Sequence, residues 1–174
     1  RIRNIEADSL YAGIMIDTNN FLTKTGVRTF EAAAFLRRCG ADVTRVRKMF
    51  REHVEDYRAK GEAIRNRELF REHFAISVCP SEGLDSPTVV GAQAANELLN
   101  IIGVKASFVL TDYRNTIYIS ARSIDEINVQ IVMERLGGGG HLNIAGAQLE
   151  HYSITEAKDV LKQTLQKMLD EGDI

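Results

Sequence analysis

The sequence predicts an α/β protein whose strands all fall in its C-terminal part. Three observations point there. Apolar, strand-like runs occur at 74–79, 104–112 and 116–121, each bounded by turn residues. Two Ser-x-x-Glu patterns, at 123–126 and 153–156, stand immediately before helical periodicity. The first fifty residues carry helical periodicity only, with no strand candidate that has a pairing partner.

Taken in order, residues 1–50 read as helical. Thr29 is placed to cap a helix through Phe30 to Leu36 that Gly40 stops, and Asp42 to cap the next, with Val43, Val46, Met49 and Phe50 on one face. Residues 51–72 change composition: twelve of the 22 are Asp, Glu, Lys or Arg, with Val54, Tyr57, Ile64 and Leu69 at helical intervals. That is the signature of a solvated amphipathic helix, read here as a connector. Residues 73–174 then form a complete α/β unit. Ser86-Pro87 opens a helix that Gly103 closes, since proline suits a first helical turn. Tyr113-Arg114-Asn115 joins the second and third strands tightly. The box at Ser123 starts a helix ending near Gly137, and the box at Ser153 starts a last helix with Val160, Leu161, Leu165, Met168 and Leu169 inside.

Composition narrows the function. The chain has 174 residues, 44% hydrophobic and 26% charged, with a formal charge of −2. That is ordinary globular composition. It argues against wrapping a long polynucleotide, which calls for a broad basic surface, but leaves room for a small phosphorylated ligand. No apolar run reaches the ~20 residues of a membrane helix, and no signal peptide is visible. Cys39 and Cys79 fit no metal-ligand spacing and read as reduced core thiols. The chain opens on Arg1 rather than methionine, so it reads as a fragment or a processed chain.

Two stretches carry chemistry. Gly137-Gly138-Gly139-Gly140-His141 removes every Cβ from a backbone segment and ends on a histidine. Such a segment can approach a ligand closely and line up peptide N–H groups as an anion nest, while the histidine can donate to a phosphate. The competing reading is a surface loop with an incidental histidine. Ser120-Ala121-Arg122-Ser123 lies where a strand meets the capped helix, whose N-terminus offers free N–H groups and a positive dipole end. Ser120 and Arg122 share a strand face, and Arg122 offers a planar fork for two phosphate oxygens. The competing reading is a surface salt bridge by Arg122, with Ser123 merely a cap. The helix between these stretches would separate its ends by roughly 20 Å at 1.5 Å per residue. Either the glycine segment folds back or the two groups touch different parts of one ligand. Asp17 follows the apolar run Ala12 to Ile16, where an ionised carboxylate needs a partner. A metal would serve, as would a role at a helix end. His53, His73 and His151 lack ligand partners at useful spacing and read as surface or strand-edge residues.

Taken together, Ala12 to Thr18, Arg28-Thr29-Phe30-Glu31-Ala32-Ala33, Ser120 to Ser123, Asn128-Val129-Gln130 and Gly137 to Gln148 resemble the DHH/DHHA1 phosphoesterase family over the whole chain. The resemblance is strongest to bacterial membrane-anchored cyclic-di-AMP phosphodiesterases, which carry PAS and degenerate GGDEF domains upstream. It implies that residues 1–50 are the tail of a DHH catalytic domain, 51–72 a connector helix, and 73–174 a DHHA1 substrate-binding domain with a mixed sheet packed by helices. It implies two Mn2+ ions in the complete parent site, with Asp17 as the metal ligand supplied here. Ser120, Arg122, Ser123, Gly138, Gly139, Gly140 and His141 become substrate-binding residues, His141 with a catalytic part. The implied reaction is hydrolysis of cyclic di-AMP to linear pApA. The family's earlier metal motifs do not occur in the chain, so the isolated chain is expected to be inactive. Its partners would be a cyclic dinucleotide or short oligonucleotide, with no long nucleic acid and no membrane contact by this segment, and the parent is expected to be anchored in the bacterial membrane facing the cytoplasm. Homodimerisation of the parent is a further expectation. The alternatives are a DHH/DHHA1 exoribonuclease degrading nanoRNA and a non-catalytic nucleotide- or RNA-binding module.

Overall fold

The computed structural model describes residues 2–174. The chain forms two compact units, divided between Glu52 and His53.

The first unit is helical throughout: α1 (Asn4–Asp17), α2 (Val27–Arg38) and α3 (Val43–Met49). Its core is small, built on Ala7, Leu36 and Ala41. A buried carboxylate, Asp8, ties α1 to α3. It accepts from Arg45 Nε at 2.7 Å and from the Asp42 N–H at 2.7 Å. Asp42 caps α3 as expected, accepting from the Thr44 and Arg45 N–H groups. Thr29 does not cap α2. That helix begins two residues earlier, and the Thr29 hydroxyl accepts from the Gly26 N–H at 3.3 Å. Cys39 is half-buried beside this core and free.

The second unit is a six-stranded sheet with helices on both faces. Its elements are α4 (Val54–Arg65), β1 (Glu68–Phe70), β2 (Phe74–Val78), α5 (Pro87–Leu98), β3 (Ala106–Tyr113), β4 (Thr116–Ser123), α6 (Val129–Arg135), β5 (Gly139–His141), β6 (Ile144–Glu150) and α7 (Ile154–Glu171). The strand order is β1-β2-β3-β4-β6-β5. Only β2 and β3 run parallel, joined through α5; every other pair is antiparallel, so the sheet is mixed.

Alternation along the strands assigns the two faces. One face carries Ile76, Phe108, Leu110, Ile117, Ile119, Ala145, Ala147 and Leu149, covered by α6 and α7 through Val132, Met133, Leu161, Leu165 and Met168. Full burial of each such α7 side chain contributes about 1.5–3 kcal/mol. The other face is covered over β2 and β3 by α5 and α4 through Val90, Ala94, Ala95, Leu98, Ala59 and Ala63. α5 can lie close because Gly91 has no Cβ; one there would fall 2.3 Å from the Thr111 hydroxyl.

The segment read as a connector differs in two ways. Its helix ends at Arg65, and Ala63 packs on the sheet, its carbonyl accepting from the Ser77 hydroxyl at 2.5 Å. Glu68–Phe70 then pairs with β2 as an edge strand. The β3–β4 hairpin turns at Arg114 and Asn115, with φ of 52° and 60°, the backbone that a two-residue primed turn demands. Ser153 and Glu156 form the expected reciprocal cap of α7. Among the described residues, no helix is long and apolar enough to cross a membrane.

Candidate functional site

Beyond α5, the second face of the sheet lies open over β4, β6 and β5. A cleft of about 790 Å³ forms there, lined among others by Thr88, Tyr118, Ser120, Gly139, Gly146 and Gln148. Strand register organises it. Ser120 pairs with Gly146, and Gly146 with Gly139. Directly opposed residues share a face, so these three form one row across the sheet, and two of them have no side chain. The adjacent row is Arg122, Ile144 and His141. On the other side stand Tyr118 and Gln148. Rows follow one another at roughly 6.6 Å, two residues of strand rise.

This register answers how Arg122 meets the glycine segment. Strands lie ≈ 4.7–4.9 Å apart, so Arg122 and His141, two strands apart, are separated by about 10 Å of backbone. The chain does fold back. α6 is only seven residues long.

Two expectations about this region are corrected. Ser123 does not begin a helix. It ends β4, buried at 6% exposure on the core face, and its hydroxyl donates to Ile127 O at 2.6 Å. It braces the loop before α6 rather than facing the cleft. Asn128 caps α6, accepting from the Gln130 N–H at 3.1 Å. Arg122 therefore sits within a strand and gains nothing from a helix dipole. The glycine run is likewise not an open nest. Gly139–His141 is an edge strand paired with β6. Gly138 and Gly140 are required by close approach: a Cβ at Gly138 would fall 2.1 Å from Gly146 O, and one at Gly140 2.5 Å from Ala145 Cα. Gly139 has open space on the cleft side. Of the expected substrate residues, Ser120, Gly138 and Gly139 line the cleft; Arg122 and His141 form the row at its edge, and Gly140 and Ser123 turn away from it.

Arg122 is half-buried. Its Nε donates to Asn96 Oδ1 of α5 at 3.1 Å and one terminal nitrogen to Ala121 O at 2.8 Å. Burial pulls its pKa below the ordinary arginine value, yet a guanidinium stays charged. Among the described residues no carboxylate pairs with it. A desolvated cation without a counter-charge favours a bound anion. His141 is exposed on the same face. Asn96 and Tyr118 belong to no motif in the sequence, and Gln148 closes the Gly137-to-Gln148 stretch with no role of its own. The i, i+2 rule that joined Ser120 to Arg122 extends to Tyr118, whereas Asn96 and Gln148 come from other elements and carry no local signal.

Asp17 lies in the first unit, as the last residue of α1, exposed and without a hydrogen-bond or ion-pair partner among the described residues. A carboxylate at the negative end of a helix dipole is unfavourable alone and favoured beside a cation. The turn after it is tight. Asn19, Asn20 and Phe21 have φ of 46°, 57° and 66°. Thr18 holds that turn, donating to Ile14 O at 2.7 Å and accepting from the Phe21 N–H at 2.9 Å, while Phe21 stacks on Phe30 at 5.5 Å. A left-handed phenylalanine stores strain that persists only where its surroundings impose it. The donor set thus fits one carboxylate ligand to a hard cation. Among the described residues no group of three or more His, Cys, Asp or Glu could hold a metal by itself. His53 is the residue before α4, His73 faces Gly103 O at 3.1 Å, and His151 lies in a turn. Cys79 is buried and free, its thiol pushed up to about 11 by burial and by the Glu62 charge.

Residues 73–168 match the DHHA1 domain, and the chain belongs to the DHHA1 family. It is similar to the cyclic-di-AMP phosphodiesterase GdpP of Bacillus subtilis (strain 168), with 42% identity over 174 residues, 99% of this chain and 26% of that protein. It is also similar to the cyclic-di-AMP phosphodiesterase PdeA of Listeria monocytogenes serotype 1/2a (strain 10403S), with 41% identity over 162 residues, 92% of this chain and 24% of that protein. The chain therefore spans about a quarter of the length of these curated relatives. Among solved structures it shares the fold of an exopolyphosphatase-related protein from Bacteroides fragilis, with a TM-score of 0.85 and 24% identity over 96% of this chain and 51% of that one.

Proposed function

We propose that this DHHA1-family chain is the substrate-holding C-terminal part of a cyclic-di-AMP phosphodiesterase that yields pApA, and that the whole protein is anchored in the bacterial membrane. The observation that carries the reading is Arg122, a half-buried guanidinium with no carboxylate partner among the described residues, set at the edge of a glycine-floored trough. The relatives' cyclic-di-AMP phosphodiesterase activity supports the choice of substrate.

In this reading Arg122 holds phosphate oxygens while Asn96 fixes its guanidinium. Ser120 donates its hydroxyl to the same group. His141 donates to a phosphate oxygen from the far side of the trough, a contact that accelerates the reaction if it strengthens as charge develops. The glycine floor lets the sugar-phosphate lie against backbone. Asp17 would hold one of two manganese ions, whose role is Lewis-acid catalysis at phosphorus.

The test is calorimetric titration of pApA and cyclic di-AMP into the 174-residue chain. Losing one charge-assisted contact costs about 1.5–3 kcal/mol, so Arg122→Ala should bind roughly ten- to hundredfold more weakly, and His141→Ala should also weaken. Unchanged affinity in Arg122→Ala would remove the cleft from phosphate binding.

A further inference from the structure

We propose that Tyr118 and Gln148 form a nucleobase subsite that selects adenine over guanine; this rests on the phosphate-binding reading of the same cleft. The two residues are direct cross-strand partners on β4 and β6, and both line the cleft. They stand one row beyond Ser120–Gly146, while Arg122 stands one row before it. The open face therefore runs from a cation, over a row whose one side chain is the small Ser120, to an aromatic ring beside an amide. Four residues of β4 separate Arg122 from Tyr118, about 13 Å of strand. A nucleotide laid along that line puts phosphate at Arg122, sugar over Ser120 and Gly146, and base at Tyr118.

The chemistry at the far end matches a base. Tyr118 is half-buried, and its ring is braced by Tyr113 at 6.4 Å with the planes 50° apart. That bracing holds a stacking platform in place before a ligand arrives. Base–aromatic stacking is tolerant of sequence because every base has a π-face, so Tyr118 supplies affinity and not choice. Choice falls to Gln148. It is exposed, and its side-chain amide has no hydrogen-bond partner among the described residues. An amide offers one donor and one acceptor side by side, which meet adenine N7 and N6–H2 together. Guanine presents two acceptors, N7 and O6, at the same edge, and the Gln148 carbonyl would then face an acceptor.

The experiment measures binding of pApA, pGpG and ribose 5-phosphate to the 174-residue chain and to its Tyr118→Ala, Tyr118→Phe and Gln148→Ala variants. The wild type should prefer pApA to pGpG by about tenfold. Tyr118→Ala should bind pApA roughly tenfold or more weakly, Tyr118→Phe should keep most of the affinity, and both should bind ribose 5-phosphate as before. Gln148→Ala, an exposed change that leaves the core intact, should bring the pApA to pGpG ratio close to one. Wild-type pApA affinity in Tyr118→Ala, or an unchanged ratio in Gln148→Ala, overturns the subsite while leaving phosphate binding standing. If ribose 5-phosphate and both dinucleotides fail to bind the wild type, the phosphate reading falls and the subsite with it.

Discussion

Replacing Gly138 and Gly139 by alanine, one at a time, should separate the structural from the functional use of the glycine run. At Gly138 the new methyl would lie 2.1 Å from Gly146 O, 2.7 Å from Ala147 Cα and 2.8 Å from Ala147 Cβ. Two of those atoms are backbone of the neighbouring β6 strand, so no side-chain rotation relieves the clash. The strands must move apart. Forcing a methyl into a packed site costs about 1–3 kcal/mol. For a unit of this size each kcal/mol lowers the melting temperature by roughly 3–6 °C, so Gly138→Ala should melt roughly 3–18 °C lower. At Gly139 nothing lies within 4 Å and the backbone is outside the left-handed region. Alanine there should leave stability unchanged or raise it by about 0.4–1 kcal/mol through the unfolded state. Its methyl would nonetheless stand on the cleft floor and hold a ligand off the backbone. Thermal unfolding followed by circular dichroism reads the first effect, and calorimetric titration with pApA the second. The reasoning is refuted if Gly138→Ala unfolds at the wild-type midpoint, or if Gly139→Ala binds pApA undiminished.

Three other outcomes follow from the geometry. Asn96→Asp would set a carboxylate against the Arg122 guanidinium; it should weaken pApA binding about tenfold by neutralising the cation, and an unchanged affinity would show that the charge of Arg122 is not what the ligand meets. In the intact protein, Asp17→Ala should abolish manganese-dependent hydrolysis while far-ultraviolet circular dichroism stays the same; near-normal turnover would take Asp17 out of the metal site. Arg45, and then the Asp42 N–H, hold the Asp8 carboxyl below its usual range, so its stabilisation is complete above the ordinary carboxylate pKa and is lost as pH falls through the lowered value. Amide protection factors in the first unit, taken relative to the intrinsic exchange rate, should therefore fall on acidification below about pH 4, and Asp8→Asn should flatten that dependence; an identical acid profile in the variant would assign the effect to other groups.

What the sequence disclosed was local chemistry. The reciprocal Ser153–Glu156 cap, the Asp42 cap, Pro87 at a helix start and the Arg114-Asn115 turn are each decided within four residues, and each stands as read. The error at Ser123 has the same origin. Ser-Ile-Asp-Glu matches a capping box by spacing, but Ile127 belongs to the core and a second capping residue, Asn128, follows. β6 escaped notice because its inward side chains include two alanines and its outward row contains Gly146, which flatten the apolar alternation that marks a strand. The meeting of Arg122, Gly139 and His141 depends on register between strands distant in sequence, and register is set by the buried face as a whole. Asp17 could be noticed from the apolar run before it, whereas the strained turn that follows it could not.

The edge position of β5 carries a consequence for how a ligand is received. The strand has three residues, two of them glycine, and it pairs on one side only, with β6. Fixing a residue's backbone costs roughly 1–2 kcal/mol of conformational entropy, and glycine loses the most freedom of any residue. So short a one-sided ladder recovers little of that cost, which places β5 among the first segments to fray. A phosphate docking on this edge would complete the ordering that pairing begins. Part of the intrinsic contact energy is then spent on stilling the backbone, so measured affinity understates the contacts made. Ligand-dependent slowing of hydrogen exchange at Gly139, Gly140 and His141 would display that expenditure directly.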